Sequence, residues 1–194
     1  VVKRQLRQFV AQRAGDRIGL ILFADHAYLM APLTSDWQTL QRFIDELDFS
    51  MAGYLTSIGE AIGLSIKRFS DEGSRQKLLI LLSDGRDTVG TLSPVAAAQL
   101  AAKQQLRIYT IGLGSEVPLD DPLATSDINP AADLDEATLK QIASATSGRY
   151  FRARDPESLA AIYQAIDELE PMETSQHFYQ PRQELYPYPL LMAL

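Results

Sequence analysis

Three places in this chain set oxygen-bearing or glycine residues at the end of an apolar run that could hold them in position. Asp84 comes just after the unbroken apolar run 78–82, so a strand there would project its carboxylate beyond the strand end. Thr56 and Ser57 stand before a helix-periodic stretch that opens at Ile58, where a hydroxyl either caps the helix or meets a ligand. Gly112 and Gly114 close the run 107–113, where glycine lets the backbone turn closely. Each has a plain structural reading: Asp84-Gly85 as a turn, Thr56 as a cap, the glycines as backbone geometry. Their common position is more telling, because open α/β sheets bind ligands beyond the carboxyl ends of their strands.

The other chemistries have no support in the residues. No Gly-x-Ser-x-Gly elbow is present, as a hydrolase on this architecture would need. There is no P-loop and no Gly-x-Gly-x-x-Gly; Gly112-Leu113-Gly114 continues as Ser-Glu-Val. Asp84 and Asp87 are too few for a clustered-carboxylate phosphatase. The chain has no cysteine, which excludes disulfides, thiolate metal sites and a thiol nucleophile. Asp120, Asp121, Asp127, Asp133 and Asp135 make an acidic stretch without the fixed spacing of a calcium loop, and read as a solvated loop. His26 and His177 lack metal-ligand spacing. A net charge of −7 repels phosphate backbones, so no nucleic-acid partner is expected. The basic residues Lys3, Arg4, Arg7, Arg13 and Arg17 read as a solvated helix face.

These residues need a scaffold, and the hydrophobic pattern supplies one. Val2, Leu6, Phe9 and Val10 form a helix stripe ended by Gly15. Residues 17–23 read as a buried strand, and 27–31 as a short strand that could pair antiparallel with it or with a neighbour. Ser35 and Gln38 form a capping-box pattern ahead of Trp37, Leu40, Ile44 and Leu47. Ile58 to Phe69 is a helix, 78–82 a strand covered on both faces, and Ser93-Pro94 opens an alanine-rich helix. A strand at 107–113 and a polar loop at 115–134 follow. The helix from Asp135 is closed by Gly148. A strand at 149–153 and a helix capped by Asp155-Pro156 complete the order. This alternation predicts an α/β fold: a doubly wound, mostly parallel sheet with helices on both faces.

The stretches 15–23, 56–62, 78–85 and 108–114 resemble the von Willebrand factor A family over roughly residues 1–170. Residues 139–143, 148–151 and the apolar tail look most like its membrane-anchored bacterial aerotolerance (Bat) subgroup. The resemblance implies a Rossmann-like sheet and a Mg²⁺ or Mn²⁺ site split over three loops, completed by an acidic residue of a protein partner. It places the ion ligands at Thr56 and Asp84, with Ser57, Gly85 and Arg86 beside them at the partner surface. The family's first loop, Asp-x-Ser-x-Ser, occurs nowhere in this sequence, and the first helix already begins near Val1. The usual first, central strand is therefore expected to be lacking. That leaves a gap in the sheet, a substitute strand or a poorly stable fragment, with ion binding weak or absent.

The expected organisation is a von Willebrand factor A-like domain over 1–170 and a juxtamembrane tail over 171–194 that leads toward a transmembrane helix. The tail's Tyr-Pro-Tyr-Pro-Leu-Leu pattern matches an interfacial belt, although it is too short to span. The expected function is a metal-dependent, non-enzymatic protein-binding module of a membrane-anchored bacterial protein, its soluble domain outside the bilayer in the cell envelope. The alternatives are a metal-independent structural or assembly subunit, or a hydrolase on the same architecture.

Overall fold

The computed structural model describes residues 2–13, 15–47, 55–70, 76–84, 87–88, 90–114 and 134–170. The tail over 171–194, most of the acidic loop, and Gly85 and Arg86 lie outside these. The element order is α1 (Val2–Gln12), β1 (Ile18–Phe23), β2 (Ala27–Thr34), α2 (Trp37–Glu46), α3 (Ile58–Ser70), β3 (Lys77–Ser83), α4 (Pro94–Lys103), β4 (Leu106–Leu113), α5 (Glu136–Ala145), β5 (Tyr150–Ala153) and α6 (Pro156–Leu169).

The strands form two sheets. β1 pairs antiparallel with β2, from Phe23↔Ala27 back to Ile18↔Thr34, with register shifts on either side of Leu20. β3, β4 and β5 form a parallel sheet in that order. Parallel neighbours joined through α4 and α5 are the crossover units that the strand–helix alternation predicts. Among the described residues no backbone ladder joins β1 to β3.

Helices hold the two sheets together across this break. Leu6 of α1 packs on the cluster around Val10, Ala31, Leu40 and Ile44 and also on the cluster around Tyr109, Ile111 and Tyr163. Phe23 of β1 joins the third cluster, where Ile58 and Ile62 of α3 meet Leu81 of β3. Ala97, Ala98 and Ala101 of α4 are fully buried there; their small side chains let the helix lie close to its neighbours.

The helix ends show where local pattern chooses between adjacent candidates. α2 is capped by Asp36, whose carboxylate accepts from the Thr39 N–H at 3.0 Å, and not by Ser35 as its pairing with Gln38 suggested. Asp36 also takes the Thr39 hydroxyl, so two bonds favour that register. Ser93 stands at the start of α4 without a side-chain cap bond, and proline at the next position does the work of initiation. At the end of α5 the left-handed residue is Ser147 (φ 59°), and Gly148 donates to Ala143 one step later. This is a Schellman closure with serine in the usual glycine place. Gly148 is needed for another reason: a Cβ there would stand 1.9 Å from the Ile108 carbonyl oxygen.

Arg4, Arg7 and Arg17 are exposed, as a solvated face requires, and Arg13 alone of the basic residues expected on that face is buried. Arg13 is 8% exposed and bonds Asp167 of α6 at 2.6 Å and Asp16 at 3.1 Å, tying α1 to α6. Arg7 pairs with Asp45, and Lys3 and Arg17 donate to the carbonyls of Asp45 and Leu33.

α6 carries a full capping box between Asp155 and Ser158. The side-chain and backbone bonds from Thr39 hold the Asp36 carboxyl below its ordinary value of 3.8, and those from Ser158 do the same for Asp155. A lowered native value means stability that is present above pH 3.8 and is lost as pH falls through the native value. Melting curves between pH 6 and pH 2 are therefore expected to show a step below about pH 4 that shrinks in Asp36→Asn/Asp155→Asn. An undiminished step would assign the loss to other carboxylates.

Candidate functional site

The site is built where β1 and β3 end and α3 begins. β3 is apolar from Leu78 to Leu82, Ser83 is 4% exposed, and Asp84 after it is exposed to solvent. Asp87 and Thr88, further along the chain, meet the entrance to α3. The Asp87 carboxylate accepts the Ile58 N–H at 2.7 Å. The Thr88 hydroxyl accepts the Thr56 N–H at 2.9 Å, and the Thr88 N–H donates back to the Thr56 carbonyl at 2.9 Å. Thr56 and Asp84 are thus carried on two loops that this reciprocal pair fastens together.

A second contact comes from the β1–β2 turn. The Asp25 carboxylate accepts the Leu55 N–H at 3.0 Å, and His26 Nδ1 lies 3.3 Å from the Glu60 carboxylate. The N–H groups at the entrance to α3, which a helix cannot satisfy internally, are therefore taken by side chains of two other loops. Asp87 feels this place in its titration. Burial raises its carboxyl above 3.8, the N–H groups of Ile58 and Gly59 pull the other way, and nearby Glu60 adds to the rise.

The expected site residues fall in different situations. Thr56 is half-buried, and its hydroxyl makes no hydrogen bond to another described residue; the capping work goes to Asp87. Asp84 is exposed. Ser57, expected at the partner surface, is 0% exposed, and its hydroxyl has no hydrogen-bond partner among the described residues. Gly85 and Arg86 lie outside the described residues. Gly112 and Gly114 serve packing and pairing: a Cβ at 112 would come 2.8 Å from Leu134 and 2.9 Å from the Tyr150 hydroxyl, and Gly114 donates to Ala153.

Asp25, Asp87 and Thr88 escaped the sequence reading as site organisers. One signal was available: Asp87-Thr88 is a pair of capping residue types with no helix of its own to cap, since α4 opens six residues later at Ser93-Pro94.

The donor types suit a hard cation, because Mg²⁺ prefers oxygen ligands and keeps several waters. Their number is small. Among the described residues no three acidic or imidazole side chains converge closely enough to hold an ion. The donor types present fit such an ion in kind.

A model of the von Willebrand factor type A domain matches residues 1–165. An uncharacterized protein of Borreliella burgdorferi is 23% identical over 98% of this chain and 58% of its own length. The chain thus spans little more than half of that relative. Among solved structures, the conserved hypothetical protein BatB of Bacteroides thetaiotaomicron is 27% identical, covering 87% of this chain and 86% of BatB with a TM-score of 0.69. Proximal thread matrix protein 1 of the mussel byssus, solved with a zinc-occupied MIDAS motif, shares the fold at 22% identity over 87% of this chain and 39% of its own, with a TM-score of 0.68.

Proposed function

Because this chain belongs to the von Willebrand factor type A family, a family of protein-interaction modules, we propose that it binds a protein partner through a divalent ion held at Thr56 and Asp84. The observation that carries the reading is the fastening of the two loops: Thr56 and Thr88 exchange two backbone-anchored bonds, with Asp84 four residues away on the same loop. A hydroxyl left unengaged and an exposed carboxylate are oxygen donors of the kind Mg²⁺ or Mn²⁺ accepts. The ion would supply a positive centre with open positions, and an Asp or Glu of the partner is the complementary group. This is recognition without turnover; no nucleophile–base pair stands at the rim among the described residues. The zinc-occupied MIDAS motif of the mussel protein, which shares the fold, supports an ion at this rim.

With two protein ligands the affinity is expected to be weak, with a dissociation constant on the order of millimolar or above. Calorimetric titration of Mg²⁺ checks this, with Thr56→Ala and Asp84→Ala each removing the residual binding. Micromolar affinity, or affinity indifferent to both substitutions, would refute the assignment.

The second reading is an assembly role that needs no ion, and the shortage of ligands among the described residues favours it. Partner capture in Mg²⁺ and in EDTA separates the two: equal capture supports assembly alone. The membrane setting is also a proposal. Among the described residues no helix is long and apolar enough to cross a membrane. The case rests on the apolar, Tyr- and Pro-bearing run at 185–194 in the sequence, and it puts the domain at 1–170, outside the bilayer in the cell envelope.

A further inference from the structure

We propose that Asp87 and Thr88 are positioning residues that set Thr56 at the rim, so that ligand affinity depends on two side chains that never touch the ligand. The inference rests on the reading of Thr56 as an ion ligand.

Thr88 holds the main chain of Thr56 from both sides, accepting its N–H and donating to its carbonyl, each at 2.9 Å. With N–H and carbonyl both engaged, the peptide planes flanking Thr56 cannot rotate without breaking a bond. Asp87 fixes the next turn through the Ile58 N–H at 2.7 Å. A carboxylate at a helix start is favoured by the helix dipole. Asp25 anchors Leu55 from the opposite flank. Every fixed group here belongs to the backbone, and the Thr56 hydroxyl makes no bond to a described residue. The clamp therefore presents the hydroxyl and does not consume it.

The loop beyond the clamp is shaped to stay seated. Gly90 takes a positive φ of 135°, and the Leu92 carbonyl lies so close to α3 that a Cβ at Gly59 would stand 1.8 Å from its oxygen. Asp84, Asp87 and Thr88 thus ride on one loop bound to the start of α3, and the two ion-ligand candidates keep their relation because residues 87 and 88 enforce it.

The test compares Asp87→Ala, Asp87→Asn, Thr88→Val and Thr88→Ser with Thr56→Ala in the full chain. Amide exchange and Mg²⁺ titration are both followed by NMR. Asp87→Ala is expected to speed exchange at Ile58 by about tenfold, the scale of one lost bond to a charged acceptor. Thr88→Val is expected to do the same at Thr56, and both should weaken Mg²⁺ binding by about fivefold or more. Asp87→Asn and Thr88→Ser keep an acceptor oxygen and should restore most of both readouts. Exchange in β4 should not change, which separates loosening of the clamp from loss of the fold. If Thr56→Ala abolishes Mg²⁺ binding while Asp87→Ala and Thr88→Val leave it unchanged, the positioning role is overturned and the ion assignment survives. If Thr56→Ala leaves the affinity unchanged, both are overturned.

Discussion

Gly59→Ala is expected to destabilise the domain by about 3 kcal/mol or more, lowering its melting temperature by roughly 10 °C. The new Cβ would stand 1.8 Å from the Leu92 carbonyl oxygen and 2.8 Å from its carbon, both main-chain atoms that no rotamer change can move. Alanine is the better helix former by about 1 kcal/mol, so propensity acts in the opposite direction and is outweighed. Gly63, one turn further along α3, is the control. A Cβ there would meet only the Leu92 Cδ2 at 3.4 Å, the end of a side chain that can yield. Gly63→Ala should therefore melt at or slightly above the wild type. A Gly59→Ala protein as stable as Gly63→Ala would show that the 90–93 loop does not rest on α3.

The second large effect concerns the break in the sheet. β1 is apolar apart from Gly19, and β3 is apolar from Leu78 to Leu82, yet most of their side chains are half-exposed. β4, of similar composition, is buried along nearly all its length. The difference is neighbours: β4 has a strand on each side, whereas β1 and β3 each have one ladder partner among the described residues. A six-residue apolar strand placed ahead of α1 could enter this slot, since strand, α1 and β1 would then make a right-handed crossover. Burying its side chains stabilises by roughly 1.5–3 kcal/mol each, and ordering the segment opposes this by about 1–2 kcal/mol per residue. A net gain of about 4 kcal/mol, or roughly 10 °C, is expected in thermal melts. The same segment with a central proline lacks one ladder N–H and should gain far less. Equal melting of the extended and original chains would mean that the slot does not accept a strand.

Much of this architecture can be read from residue order. The unbroken apolar run at 78–82 and the largely apolar run at 107–113 announce β3 and β4, and Asp155-Pro156 announces the start of α6. A break in the sheet was expected from the absent Asp-x-Ser-x-Ser loop. The reading fails where the choice is between adjacent residues of one kind. Ser35 and Asp36 both suit a cap, and only the bonds to Thr39 decide between them. It fails again where partners are distant in the chain. Thr56 and Asp84 stand out by type and place, but the bonds of Thr88 to Thr56 and of Asp25 to Leu55 cross about thirty residues and leave no local mark. Arg13 is another such case. Its spacing is that of a surface helix face, and its burial follows from Asp167, which lies 154 residues away.

The break also has a mechanical meaning. Ladders of main-chain bonds run through β1–β2 and through β3–β4–β5, but among the described residues no ladder joins the two groups, which are bridged by side-chain packing of α1, α3 and Phe23 and by isolated bonds such as Arg13–Asp167. Dispersion contacts are short-ranged and yield after a small displacement, whereas a sheared ladder resists with many bonds at once. Tension applied across the molecule would open this seam first and leave both sheets intact. Under the proposed partner binding at Thr56, beside the ends of β1 and β3, the load would enter close to the mouth of that seam.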